Sequence, residues 1–226
     1  MPRGASGCQE SFIVSATESN PAPRRGRPRG FDRKEALLQA MDVFWSLGYE
    51  GATLNDLQKA MGGITAPSFY AAFGSKEELF REAVELYSRT LGLPMVEALD
   101  KEPTARAAIQ GLLIVAVEAF RKPGKPRGCM LVSAAMDNTE ANRRVQELVR
   151  RLRARRLELI EQRLGRGVHE GELPKGLDLG AMASFYMTVL DGLAIQARDG
   201  ASRKSLLFSA RSAMAAWDTL ISEARS

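Results

Sequence analysis

From residue 35 onward, apolar residues recur three and four apart, and nowhere does the chain alternate apolar and polar positions as a half-buried strand would. Leu37, Met41, Phe44 and Leu47 form the first stripe; Asp32 with Glu35 opens it as a capping box and Gly48 stops it. Thr53 with Asp56 opens a short second helix through Leu54, Leu57 and Met61, which ends at Gly62-Gly63. A third covers Ala66 to Phe73, with Pro67 tolerated in its first turn. Phe69 and Phe73 share one of its faces, and Ala66, Pro67, Ser68, Tyr70 and Ala71 leave the other small or polar. Ser75 with Glu78 caps a fourth helix through Leu79, Ala83, Leu86 and Tyr87. Beyond Pro94 the helical period continues between Pro and Gly breaks and predicts helices near 104–121, 129–137, 140–164, 178–198 and 203–224. The fold class is all-α, three short N-terminal helices followed by a larger helical bundle.

Two short helices joined by a Gly-containing turn, the second with little bulk on its outer face, are the ingredients of a helix-turn-helix. Small side chains let such a helix bring its backbone close to base edges in a DNA major groove. Charge adds to this picture. The 226-residue chain has a formal net charge of +5. Between Asn20 and Lys34, six cations (Arg24, Arg25, Arg27, Arg29, Arg33 and Lys34) face the single acid Asp32, a net +5 that equals the charge of the whole chain. The stretch Arg24 to Gly30 is broken by Pro and Gly and has almost nothing apolar to bury, so it reads as a flexible basic arm. Arg25, Arg27 and Arg29 are suited to phosphate or minor-groove contact; a solvated linker is the alternative reading of the same composition. A second cluster, seven arginines from Arg143 to Arg156 against Glu147, is interrupted by Val145, Leu148, Val149 and Leu152 and reads as the wet face of an amphipathic helix, able to pair with acids or attract an anionic effector.

Taken in order, Arg27-Pro28-Arg29, the helix with Ala40-Met41-Asp42-Val43-Phe44, Gly48-Tyr49, Thr53-Leu54-Asn55-Asp56-Leu57, Ser68-Phe69-Tyr70-Ala71-Ala72-Phe73 and Ser75-Lys76-Glu77-Glu78-Leu79-Phe80 resemble the DNA-binding domain of the TetR/AcrR family of bacterial transcriptional regulators over about residues 27–90. Two departures stand out: Gly62-Gly63 is one residue longer than the common turn, and Ala71-Ala72 replaces a bulkier pair. The resemblance implies that Thr53, Tyr70 and Lys76 touch the DNA backbone and that Thr65, Ala66, Pro67 and Ser68 lie nearest the bases. It implies a homodimer in which the helices at 178–198 and 203–224 pack against their symmetry mates; their nearly all-round apolar character fits that, or the centre of a large monomeric core. It also implies a small-molecule effector of unidentified chemistry in a cavity of the bundle, with Phe120, Cys129, Met130, Met136, Met182, Met187 and Tyr186 as candidate lining, each of them equally readable as core. The organisation that follows is a disordered tail at 1–23, the arm at 24–31, a helix-turn-helix domain at 32–78 and an effector-binding and dimerisation domain at 79–226, together a repressor released from a palindromic operator by its effector.

The remaining chemistry excludes more than it adds. One histidine, His169, and two cysteines, Cys8 and Cys129, disfavour a histidine-based hydrolase, a zinc centre or a disulfide scaffold, so no enzyme, metal or cofactor is expected and a reducing cytoplasm is. The longest apolar run, Leu112–Val117, is far short of the roughly 18 residues of a membrane span, and Phe12-Ile13-Val14 is too short for a signal core. Cys129 follows a Pro/Gly-rich turn beside Arg127 at a helix start, which suits either a thiolate sensing oxidants or electrophiles or a small buried residue. Asp191, an acid inside an apolar helix, suits a hydrogen-bonding role at a subunit interface or a hold on a ligand.

Overall fold

A computed structural model describes residues 32–135 and 142–223. The tail at 1–23, the arm with Arg25, Arg27 and Arg29, and Met136 lie outside the described residues. Among the described residues there are helices and no strands. In chain order they are α1 (Arg33–Gly51), α2 (Leu54–Ala60), α3 (Ala66–Phe73), α4 (Lys76–Tyr87), α5 (Leu93–Lys101), α6 (Ala105–Phe120), α7 (Met130–Ala135), α8 (Arg143–His169), α9 (Leu179–Arg198), α10 (Arg203–Ala213) and α11 (Ala216–Glu223).

The caps follow the sequence signals, with one refinement. Thr53 and Asp56 form a reciprocal capping box on α2, whereas Asp32 on α1 and Ser75 on α4 act as simple N-caps, each accepting a backbone N–H. Gly48, with φ 74° and ψ 179°, interrupts the helical backbone of α1, and Tyr49 to Gly51 add a further turn. Four differences from the sequence pattern stand out. Pro94 falls in the first turn of α5, where a missing N–H costs nothing, so a helix forms in a stretch for which none was predicted. Between α4 and α5 the chain winds as a π turn, Ser88–Gly92, and the Ser88 and Thr90 hydroxyls donate to the carbonyls of Val84 and Leu86 at 2.9 and 2.8 Å. The predicted helix 203–224 divides at Met214-Ala215, where Met214 N–H turns to Arg211 O, and α8 runs on through Gly165 and Gly167 to His169. Gly167 is a close approach, not a break, since a Cβ there would stand 2.9 Å from that of Ala105.

One buried cluster runs without a gap from Ala36 in α1 to Trp217 in α11. At its N-terminal end Phe44 meets Phe80 edge-on at 5.1 Å, and Tyr49 meets the same ring at 5.1 Å. Trp45 then ties α1 to the bundle: fully buried, it lies edge-on to Tyr87 at 5.0 Å and donates its indole N–H to Gly128 O at 3.2 Å. Gly128 has to be glycine, because its φ is 83° and a Cβ would sit 2.7 Å from Ala194 O on α9. Arg198, at the end of α9, reaches the same junction and donates to Ser46 O at 2.8 Å and to Ser133 Oγ at 2.5 Å. The turn of α1 ahead of Gly48 is thereby held to α9, α7 and the loop before α7.

Candidate nucleic-acid interface and interior cavity

The α2–α3 unit is built to present α3. Gly62 and Gly63 both take positive φ, 84° and 76°, and no atom lies near where either Cβ would be, so the lengthened turn is accommodated by backbone freedom. Phe69 and Phe73 bury one side of α3. Arg33 closes its far end: the guanidinium lies 4.7 Å over the Phe73 ring, donates to Ala72 O at 3.2 Å and pairs with Glu82 at 2.8 Å. Arg33, counted in sequence with the basic arm, is committed to holding α3 against α4.

The outward surface of α3 consists of Pro67, Ser68, Tyr70 and Ala71, with Tyr70 51% exposed and braced edge-on against Phe69 at 5.3 Å. Ala66 is half-buried, on the side of Phe69, and Thr65 is exposed at the N-cap with its hydroxyl 3.0 Å from that of Ser68. Thr53 is exposed too, but its N–H and its hydroxyl both donate to Asp56, at 3.1 and 2.5 Å, so a phosphate contact there competes with the cap. These bonds hold the Asp56 carboxyl below the usual carboxylate range. Lys76, half-buried in the first turn of α4, places its Nζ 4.5 Å over the Tyr49 ring.

A partly open cavity of about 160 Å³ lies between the π turn, α5, α6, α7, α8 and α9. Its wall is mostly apolar, including Met95, Leu112, Phe120, Leu152, Met187 and Leu190, with Arg155, Arg156 and Asp191 as its charged members. Of the candidate lining residues, Phe120 and Met187 are in the wall. Met130, Met182 and Tyr186 are buried elsewhere in the core, and Tyr186 lies against Phe185 and Trp217, its phenol pushed up to about 12 by burial. The face of α9 that meets the cavity carries Met187, Leu190 and Asp191, so the acid offered in sequence as a hold on a ligand also lies in the wall. Asp191 pairs with Arg153 of α8 at 2.5 Å within the chain.

Arg156 departs from the sequence reading, which placed it on the wet face of α8. It points inward between the cavity and Cys129, donating to the thiol sulfur at 3.2 Å. Cys129 is buried and does not line the cavity. Burial pushes its thiol up, but the charge of Arg156 and hydrogen bonds from Tyr87 and Arg156 outweigh that and leave it below its ordinary value. Burial likewise opposes the charge of Arg156, and its neighbours Cys129, Tyr87 and Asp191 more than offset it. The signal was in the pattern: Val145, Val149, Leu152, Arg156, Ile160 and Leu164 share one helical stripe, and Arg156 occupies an apolar position in it. Among the described residues no group of three or more His, Cys, Asp or Glu side chains could hold a metal, and no helix is long and apolar enough to cross a membrane.

Comparison with known proteins adds to the geometry. Residues 36–83 match the family model described as bacterial regulatory proteins, tetR family, and residues 103–223 match that of the tetracyclin repressor-like C-terminal domain. The HTH-type transcriptional repressor ComR of Escherichia coli (strain K12) is 30% identical over 198 residues, 87% of this chain and 94% of that protein. The HTH-type transcriptional repressor BdcR of the same organism is 27% identical over 88% of this chain and 95% of its own length. A cysteine mutant of the TetR family transcriptional regulator CifR, solved in complex with 26-base-pair double-strand operator DNA, is 44% identical with a TM-score of 0.82, over 85% of this chain and 100% of that one.

Proposed function

The chain belongs to the TetR family of transcriptional regulators, DNA-binding proteins that are not enzymes, and from that premise we propose that it is a cytoplasmic homodimeric repressor that leaves a palindromic operator when a small molecule occupies its interior cavity. The observation that carries this reading is the exposed, low-bulk surface of α3 on a unit fixed to the cavity-bearing bundle through Trp45 and Arg198. Residues 32–78 form the DNA-binding part and 79–226 the effector-binding and dimerisation part. Pro67 and Ser68 approach base edges with Thr65 and Ala66 beside them; Tyr70, Lys76 and Thr53 meet phosphates, and Arg25, Arg27 and Arg29 add contacts from the arm. An effector acts by favouring a separation of the two recognition helices that the operator does not accept, and that difference in affinity is the coupling.

The test begins with the DNA that the wild-type protein selects from genomic fragments. Tyr70→Ala and Lys76→Ala should weaken binding to operator and random DNA alike, by about three- to tenfold each, and Lys76→Ala should reduce the salt slope by about one for each phosphate it no longer neutralises. Unchanged affinity in both variants, with unfolding midpoints like the wild type, overturns this docking.

The proposed dimer contact runs along α9 and α10. Ile195 is 37% exposed and Phe208 72% exposed in the single chain, an unusual position for a phenylalanine unless a partner covers it. Phe208→Asp is expected to raise the dimer dissociation constant at least about tenfold in sedimentation velocity, since a carboxylate would be buried twice across a two-fold axis. An unchanged dimer places the interface elsewhere.

A second reading, in which an electrophile acts on Cys129, is favoured by the 3.2 Å approach of Arg156 and the lowered thiol pKa. Cys129 lies behind Arg156 and outside the cavity wall, so the two readings differ in which side chain the input touches.

A further inference from the structure

We propose that the effector is a compact apolar molecule with one anionic head, a small monocarboxylate in the simplest case, and that Arg156 receives that head. This rests on the reading of the cavity as the effector site and names its chemistry. Arg156 is the charged member of the wall with no ion pair of its own among the described residues. Asp191 is matched by Arg153 at 2.5 Å and Arg155 by Glu158 at 2.9 Å. Among the described residues the side-chain hydrogen bond of Arg156 goes to the Cys129 sulfur, and no carboxylate stands within ion-pair distance of its guanidinium. A half-buried guanidinium with a thiol as its hydrogen-bond partner has further donors to offer, and the mostly apolar wall supplies few acceptors for them.

An anion at that end of the cavity satisfies the guanidinium, with Arg suited to a two-pronged grip on a carboxylate. Volume limits the rest of the molecule. A dry cavity of about 150 Å³ takes benzene, so this one fits a body of roughly six to nine heavy atoms. The apolar side chains of Met95, Leu112, Phe120, Met187 and Leu190 would cover it. The π turn contributes Ser88 and Gly92 to the same wall, so occupancy is felt directly at the junction of α4 and α5.

Hexanoate and benzoate, each against its neutral amide, are the probes for the full-length protein, read by thermal shift, calorimetry and release of the selected DNA. The carboxylates should raise the melting temperature and release DNA, and the amides should bind about ten- to a hundredfold more weakly, the difference made by a charged hydrogen bond. Arg156→Met, which keeps length and apolar bulk, should lose the preference for carboxylate, while Cys129→Ser should respond as the wild type. Equal binding of amides and carboxylates, a carboxylate response surviving in Arg156→Met, or a response confined to Cys129→Ser, where no thiolate competes, each overturns the proposal. Because the comparison of carboxylate with amide uses the wild-type protein, it decides the matter even if Arg156→Met does not fold. Amides that bind and release DNA would remove the anionic head and leave the cavity reading standing. If no probe binds the wild type the anion proposal falls, and Met187→Trp, which fills the cavity, tests the cavity reading separately by its effect on DNA release.

Discussion

Trp45→Ala is expected to lower the unfolding free energy by about 3–5 kcal/mol, a large part of the roughly 5–15 kcal/mol that holds a typical domain together. The side chain is fully buried, so truncation loses its transfer free energy and leaves a cavity between α1, α4 and the loop before α7. It also leaves Gly128 O without its indole donor, and Gly128 cannot shift to find another because its φ is positive and the Ala194 carbonyl occupies the space beside it. Trp45→Phe isolates the second effect: it keeps most of the bulk, loses the 3.2 Å hydrogen bond and should cost only about 1–2 kcal/mol. Urea denaturation followed by circular dichroism checks both. A loss below about 1 kcal/mol for Trp45→Ala would mean that α1 is held to the bundle by other side chains, Arg198 foremost. The position matters for regulation as well as stability, because Trp45 touches Tyr87 and Tyr87 neighbours the thiol that Arg156 holds. Arg156, Cys129, Tyr87 and Trp45 thus form a chain of four neighbouring side chains from the cavity wall to α1.

How much of this was legible beforehand depends on which physical signal each element relied on. α2 and α3 were readable because local rules fix them: Thr53 and Thr65 cap, Pro67 sits in a first turn, and Phe69 and Phe73 define one face. α5 was hidden because Pro94 breaks a helix in most positions and permits one only near its start, which composition alone does not distinguish. The cavity wall was hidden for a different reason. α9 is apolar on nearly every side, so periodicity could not say whether Tyr186 or Met187 faces the interior space; packing against α11 claims the first and the cavity the second. Arg156 lay between these cases. Its place in the stripe with Leu152 and Ile160 pointed inward, but six neighbouring arginines made a solvated face the obvious reading.

The largest functional effect is expected from Ser68→Glu. Ser68 is the third residue of α3 after the N-cap Thr65, and its N–H already points at the Thr65 hydroxyl. A glutamate at that position favours the helix, because it faces the positive end of the helix dipole and can return a bond to the N-cap N–H. Folding should therefore be unchanged or slightly improved. Binding should collapse, since in the proposed docking each protomer of the proposed dimer would push a carboxylate toward phosphates and base edges, and like-charge juxtaposition in an interface costs several kcal/mol. A loss of at least about a hundredfold in affinity for the selected DNA is expected in fluorescence anisotropy. Ser68→Gln separates charge from size: it preserves the cap geometry without the negative charge and should lose far less, while altering which sequence is preferred. If Ser68→Glu binds as tightly as the wild type, α3 does not face the DNA, and the outward surface of Pro67, Ser68 and Tyr70 has another use.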